Sequence, residues 1–237
     1  MRYVSWTIVS IVLSLSLTVE AKTMNEAQQA DQLSVEELRK ANYIATLTLR
    51  GGSSIFDGKE LDAYLLMARS VFESAMAAAD NTDSTEDRDG YKTVAFMTAY
   101  NIASNTWPGW NEREIAPESQ ALGRRFAQIN REMVDSMGLT RIRPGGLWIS
   151  GAHELAAENY DAARDFFLQA KHLGEESDNE ESALMNQGWV MVVDILLQKK
   201  SVGPELKALQ QQLSDMSDDG KFYAAQYDEA LKVFTAD

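Results

Sequence analysis

From residue 34 onward the apolar residues of this chain recur every three to four positions, and no stretch alternates convincingly between apolar and polar. A recurrence near 3.6 lines apolar side chains along one face of a helix, whereas a half-buried strand needs a period of two. Punctuation is sparse as well: 237 residues hold 4 prolines and 14 glycines, fewer turn formers than an all-β chain needs. The pattern predicts an all-α protein of about nine amphipathic helices on short connections, which pair by default as antiparallel hairpins.

Caps and breakers set the expected boundaries. Ser34 and Glu37 form a capping box for a first helix with Leu38, Ala41, Ile44, Ala45 and Leu49, stopping at Gly51-Gly52. Asp57 and Glu60 open a second, with Leu61, Tyr64, Leu65, Ala68, Val71, Phe72 and Ala75 on its stripe. The polar run DNTDSTEDRDG at 80–90 reads as a loop, with a third helix starting near Asp87 and carrying Val94, Met97, Ala99 or Tyr100, and Ala103. Pro117 suits the first turn of a fourth, Gly138 ends it, and RIRPGG at 141–146 reads as a turn. Two shorter helices follow at about 147–158 and 160–173. Ser177 and Glu180 box a seventh, Pro204 begins an eighth, and a ninth follows SDDG.

Residues 1–21, MRYVSWTIVSIVLSLSLTVEA, have the layout of a cleavable signal peptide. Arg2 gives a positive start, an apolar run broken only by small hydroxyl residues follows, and Val19-Glu20-Ala21 resembles a processing site. The apolar run is too short and serine-rich for a comfortable membrane span. The expectation is export to the periplasm or the medium, with 22–33 as a lead segment and 34–237 as the helical domain. Within that domain, irregular hairpins occupy 34–137, a more regular part 147–216, and a capping helix 220–236. Cysteine is absent, which excludes a thiol nucleophile, a disulfide framework and a Cys-type zinc site. The net charge of −14 repels nucleic acid and anionic lipid.

The segment LWISGAHELAAENYDAARDFFLQA at 147–170 resembles a tetratricopeptide repeat. Leu147 or Trp148 takes the large apolar place, and Ser150-Gly151 the place of the usual Leu-Gly, in the first helix. Tyr160, Ala163, Phe167 and Ala170 follow the second-helix pattern. Small residues at 151 and 163 suit a close helix crossing. Glu154 stands where the repeat has an aromatic, and Glu175 where it ends in proline. A degenerate copy is expected over 180–216. The resemblance implies an α-solenoid of antiparallel helical hairpins, a partner protein or peptide bound along a face, and no chemistry.

The sharpest local feature is SNTWPGWNEREIAPES at 104–119, an insertion where a hairpin needs only a few residues. Its candidate binding residues are Asn105, Trp107, Trp110, Asn111 and Glu112. Two tryptophans on a Pro-Gly turn can stack on a sugar or line a peptide pocket, or fold back between helices as core. The acidic stretches 85–96 and 215–226 lack the terminal glutamate of a calcium loop and read as capped helix starts. His153 and His172 read as helix-surface residues rather than metal ligands, because His153-Glu154 lacks the second histidine of a zincin helix. Arg124, Arg125, Arg141 and Arg143 form the main basic group, available to an acidic partner or to neighbouring carboxylates. No phosphate loop or nucleophile elbow occurs, so neither an enzyme, a cofactor nor a metal is expected. The expected function is an exported tetratricopeptide-like interaction or scaffold module of the cell envelope. The alternative is a small-ligand or glycan-binding protein using the Trp107/Trp110 loop.

Overall fold

The computed structural model describes residues 33–50, 59–110, 113–139, 142–198 and 203–235. The expected signal peptide, nearly all of the lead segment, Gly51-Gly52, Asn111, Glu112 and Arg141 lie outside them. Every regular element among the described residues is helical. These are α1 (Val35–Arg50), α2 (Glu60–Asn81), α3 (Thr85–Asn105), α4 (Pro117–Ser136), α5 (Arg143–Ala156), α6 (Tyr160–Glu176), α7 (Glu180–Gln198), α8 (Pro204–Met216) and α9 (Asp218–Thr235). A single 3-10 turn, Pro108–Trp110, interrupts the α3–α4 connection. None of the described helices is long and apolar enough to cross a membrane.

The chain divides into two compact units, 1–98 and 99–237, with the boundary inside α3. In the first, α1 packs on α2. Leu38, Ala45 and Leu49 of α1 are buried, as are Tyr64, Ala68, Val71 and Ala75 of α2. The expected capping box forms: Ser34 N–H donates to Glu37 Oε2 at 2.8 Å and Glu37 N–H to Ser34 Oγ at 3.3 Å. α3 begins at Thr85, two residues before the expected start near Asp87, and α2 runs to Asn81, so the loop within the 80–90 run shrinks to 82–84. Ser84 Oγ accepts from Asp87 N–H at 3.2 Å, and Glu86 and Asp87 suit the positive end of the helix dipole.

In the second unit, α4 packs on α5, α5 on α6, α6 on α7 and α8 on α9, while α9 also returns to α7. The helix expected at 147 starts at Arg143 instead, since Pro144 fits its first turn and the two following glycines continue it. The expected Ser177 box does not form either. Ser177 Oγ donates back to Leu173 O at 2.7 Å, closing α6, and Asn179 Oδ1 caps α7 by accepting from Ser182 N–H at 3.0 Å.

Three consecutive helices end in the same way. Gly138, Glu158 and Asp178 are left-handed, with φ of 66°, 59° and 53°. The next amide then reaches back across the turn: Leu139 to Val134 O at 3.0 Å, Asn159 to Glu154 O at 2.9 Å and Asn179 to Gly174 O at 2.9 Å. The α5–α6 crossing is tight, since a Cβ on Gly151 would lie 2.8 Å from Phe167 Cε1. Trp148, Ala163, Phe167 and Ala170 are buried, and Tyr160 is half-buried at the start of α6.

Candidate functional site

The tryptophan insertion turns inward. Trp107 is 1% exposed, and its indole N–H donates to Ala152 O of α5 at 2.8 Å. Its ring meets Trp148 of α5 at 5.8 Å between centroids, Trp189 of α7 at 5.4 Å and Phe234 of α9 at 6.3 Å. Edge-to-face approaches dominate, as the ring quadrupole favours. Gly109 lets the turn close, because any side chain there would collide with the Trp107 ring. Trp107 is therefore the centre of an aromatic core built from α5, α7, α9 and the insertion.

Trp110 stays half-buried, donates its indole N–H to Ser104 O at 2.7 Å, and stacks on the exposed Phe222 at 6.2 Å. Asn105 is half-buried and donates to Asn101 O at 2.8 Å. Of the candidate binding residues in this loop, Trp110 is the one that combines exposed ring surface with a stacking neighbour.

The opposite side of α5 looks onto an open groove. At 3.6 residues per turn, Trp148 and Ala152 fall on one side of the helix, and Ser150, His153 and Glu154 on roughly the other. These three, with Gln120, Arg124, Arg125, Gln128 and Arg131 of α4 and Phe166 of α6, line a groove of about 550 Å³. Alanines 121, 127, 156 and 157 complete its wall with small side chains.

The arginines differ in how far their charge is used. Arg124 makes a two-point pair with Glu154, Nε to Oε1 at 2.9 Å and Nη2 to Oε2 at 2.7 Å. Glu154 thus holds an ion pair where the repeat pattern expects an aromatic. Arg131 lies over the Phe166 ring at 4.9 Å, and its Nε is buried without a hydrogen-bond partner. Arg125 is exposed and has no carboxylate within ion-pair distance among the described residues. Arg143 pairs with Asp135 at 3.1 Å, away from the groove.

His153 corrects the surface expectation: it is 2% exposed. Its Nε2 lies 2.9 Å from Ala103 O near the C-terminal end of α3. A carbonyl only accepts, so the proton sits on Nε2 and the ring caps that helix end. Burial is the main cause holding its pKa down to about 4. Gly123 of α4 makes room, since a Cβ there would come within 2.6 Å of His153 Cε1. His172 does lie on the surface, beside Glu175 at 3.1 Å. Among the described residues no three His, Asp or Glu side chains are placed to hold a metal ion. The 215–226 stretch is mostly helix, with Ser217 Oγ capping α9 by accepting from Gly220 N–H at 2.8 Å.

The sequence marks this groove only in part. Arg124 and Arg125 stood out as a basic pair. Arg131, seven residues after Arg124 and hence on the same stripe of α4, carried a signal in its spacing alone. Phe166 carried none, because its place depends on how α6 lies against α4. No family model, no curated protein and no solved structure matches this chain.

Proposed function

We propose that this chain is an exported, tetratricopeptide-like interaction module that holds an extended segment of a partner protein in the α4–α5–α6 groove. The observation that carries the reading is the asymmetry of α5. One side is filled by the chain's own Trp107, and the other opens onto a groove of about 550 Å³. Sites of a few hundred Å³ enclose a compact ligand or a short stretch of peptide. The repeat motif at 147–170 and the close Gly151–Phe167 crossing support the family reading. Residues 1–21 support export. Binding rather than catalysis is the reading because the imidazole in the groove already commits Nε2 to Ala103 O.

Site-specific photo-crosslinking in cells tests the assignment. A crosslinker at Gln128 should trap a discrete partner, whereas one at Phe222 should not. Trapping at Phe222 alone would move the binding face to the other side of the unit. That result would favour the second reading, a glycan or small ligand stacked on Trp110 and Phe222, the exposed aromatic pair of the insertion. Intrinsic fluorescence titrated with envelope glycans reads this directly: a shift in the wild type that Trp110→Ala abolishes would support it.

A further inference from the structure

We infer that the occupant of this groove is an acidic segment of a partner protein, held through its carboxylates by Arg125 and Arg131. The inference rests on the groove being the partner-binding face and adds the chemistry of what enters it.

Charge is the first argument. The chain carries −14, yet three of its 22 basic residues line one groove. Among the described residues Glu154 is the single lining carboxylate, and His153 is neutral at physiological pH, so this lining keeps two positive charges. Glu154 spends its charge on Arg124. Arg125 is exposed with no carboxylate at ion-pair distance among the described residues, and the Nε of Arg131 is buried without a hydrogen-bond partner. Screening over about 8 Å at physiological salt weakens the distant acidic surface, while Glu132, which accepts from Gln128 Nε2 at 2.8 Å, stays close enough to oppose a bound carboxylate.

Geometry is the second argument. Arg125 and Arg131 are six residues apart on α4, about 9 Å along the axis at 1.5 Å per residue and about 120° apart around it, and both line the groove. In a polyproline II segment, side chains at i and i+3 share a face and lie about 9 Å apart. Two acidic residues with that spacing match the axial separation of the two arginines, whose long side chains both turn into the groove. The alanines admit the backbone of such a segment, and the Gln120 and Gln128 amides, whose Nε2 groups already donate to Ile115 O and Glu132 Oε1, each keep a second N–H for it. Phe166, already under Arg131, offers a ring face to an apolar side chain between the two acids. Guanidinium forks suit carboxylates in two-point contact, and each charged hydrogen bond lost costs about tenfold or more in affinity.

The test uses residues 22–237 and a Glu-Pro-Pro-Glu-Pro-Pro-amide peptide carrying fluorescein on its N-terminus, read by anisotropy, with identically labelled glutamine and lysine counterparts alongside. The glutamate peptide should bind and the other two should not. Affinity should fall as salt is raised from about 50 to 500 mM. Arg125→Gln and Arg131→Gln should each weaken binding about tenfold or more. Glu154→Gln frees Arg124 and should tighten it, an effect that mere misfolding cannot mimic. Stronger binding of the glutamine or lysine peptide, with a Gln128 crosslink retained, would overturn the acidic assignment while leaving the groove intact. Failure of every peptide together with a silent Gln128 position would sink both. Arginine-dependent binding of oligo-dT or phosphatidylglycerol vesicles above that of the glutamate peptide would overturn the acidic-protein assignment. So would self-association through the acidic 175–181 turn, seen by sedimentation and lost in Arg131→Gln.

Discussion

Acidification should weaken this fold through His153, and the size of the effect follows from its burial. The imidazole is held neutral with a pKa of about 4, against an ordinary value of 6.5, mainly because burial penalises the charged ring. Its Ala103 O partner and Glu154 oppose that shift, and Arg124 adds to it. A depressed histidine means the unfolded chain binds more protons between pH 6.5 and 4, so stability is full above 6.5 and falls as pH drops. At about 1.4 kcal/mol per pH unit, roughly 2 kcal/mol is lost by pH 5. For a chain of this length that is about 4–8 °C in Tm. Exposed Glu37 and Glu175 have lowered pKa values, so their contributions persist above 4.5 and vanish only below this window. The assay is urea unfolding at pH 7.5 and 5.0 of the wild type and His153→Gln, whose amide can still donate to Ala103 O. The wild type should lose about 2 kcal/mol more than the variant. Equal losses would refute the burial argument, because some other group would then be taking up the proton.

Three more outcomes follow from the packing. Trp107→Ala should cost about 3–5 kcal/mol of stability in thermal melts, as deletion of a fully buried indole does. It should leave groove binding within a fewfold at temperatures where the variant is folded. Glu158→Gly relieves a left-handed non-glycine residue at φ 59° and should add up to about 1 kcal/mol in urea unfolding. Gly151→Val should destabilise by at least about 2 kcal/mol, because Phe167 leaves no room for a branched side chain at the α5–α6 crossing.

What was legible in the sequence is what local contacts decide. The Ser34–Glu37 box, the proline starts of α4 and α8 and the glycine after α4 are set by residues within four positions of one another. Errors arose where two local signals competed. Ser84 turned a polar run into the first turn of α3, and Pro144 drew α5 forward over two glycines. Ser177 closed the helix before it instead of opening the one after, because Asn179 stood nearer the start of α7.

The site was harder to read because its decisive partners are distant in sequence. Trp107 is buried by Ala152, Trp189 and Phe234, and His153 by a carbonyl 50 residues earlier. A Pro-Gly turn with two tryptophans looks the same whether the rings face solvent or core. Glu154, an anomaly against the repeat pattern, became intelligible only with Arg124 opposite it on α4.

Hydrogen exchange of residues 22–237, with and without the glutamate peptide or a partner trapped at Gln128, tests the choice of face most directly. Partner binding in the groove predicts slowed exchange over 120–131 and 150–157 and unchanged exchange over 104–110. Slowed exchange confined to the tryptophan insertion, with α4 and α5 unaffected, would contradict it.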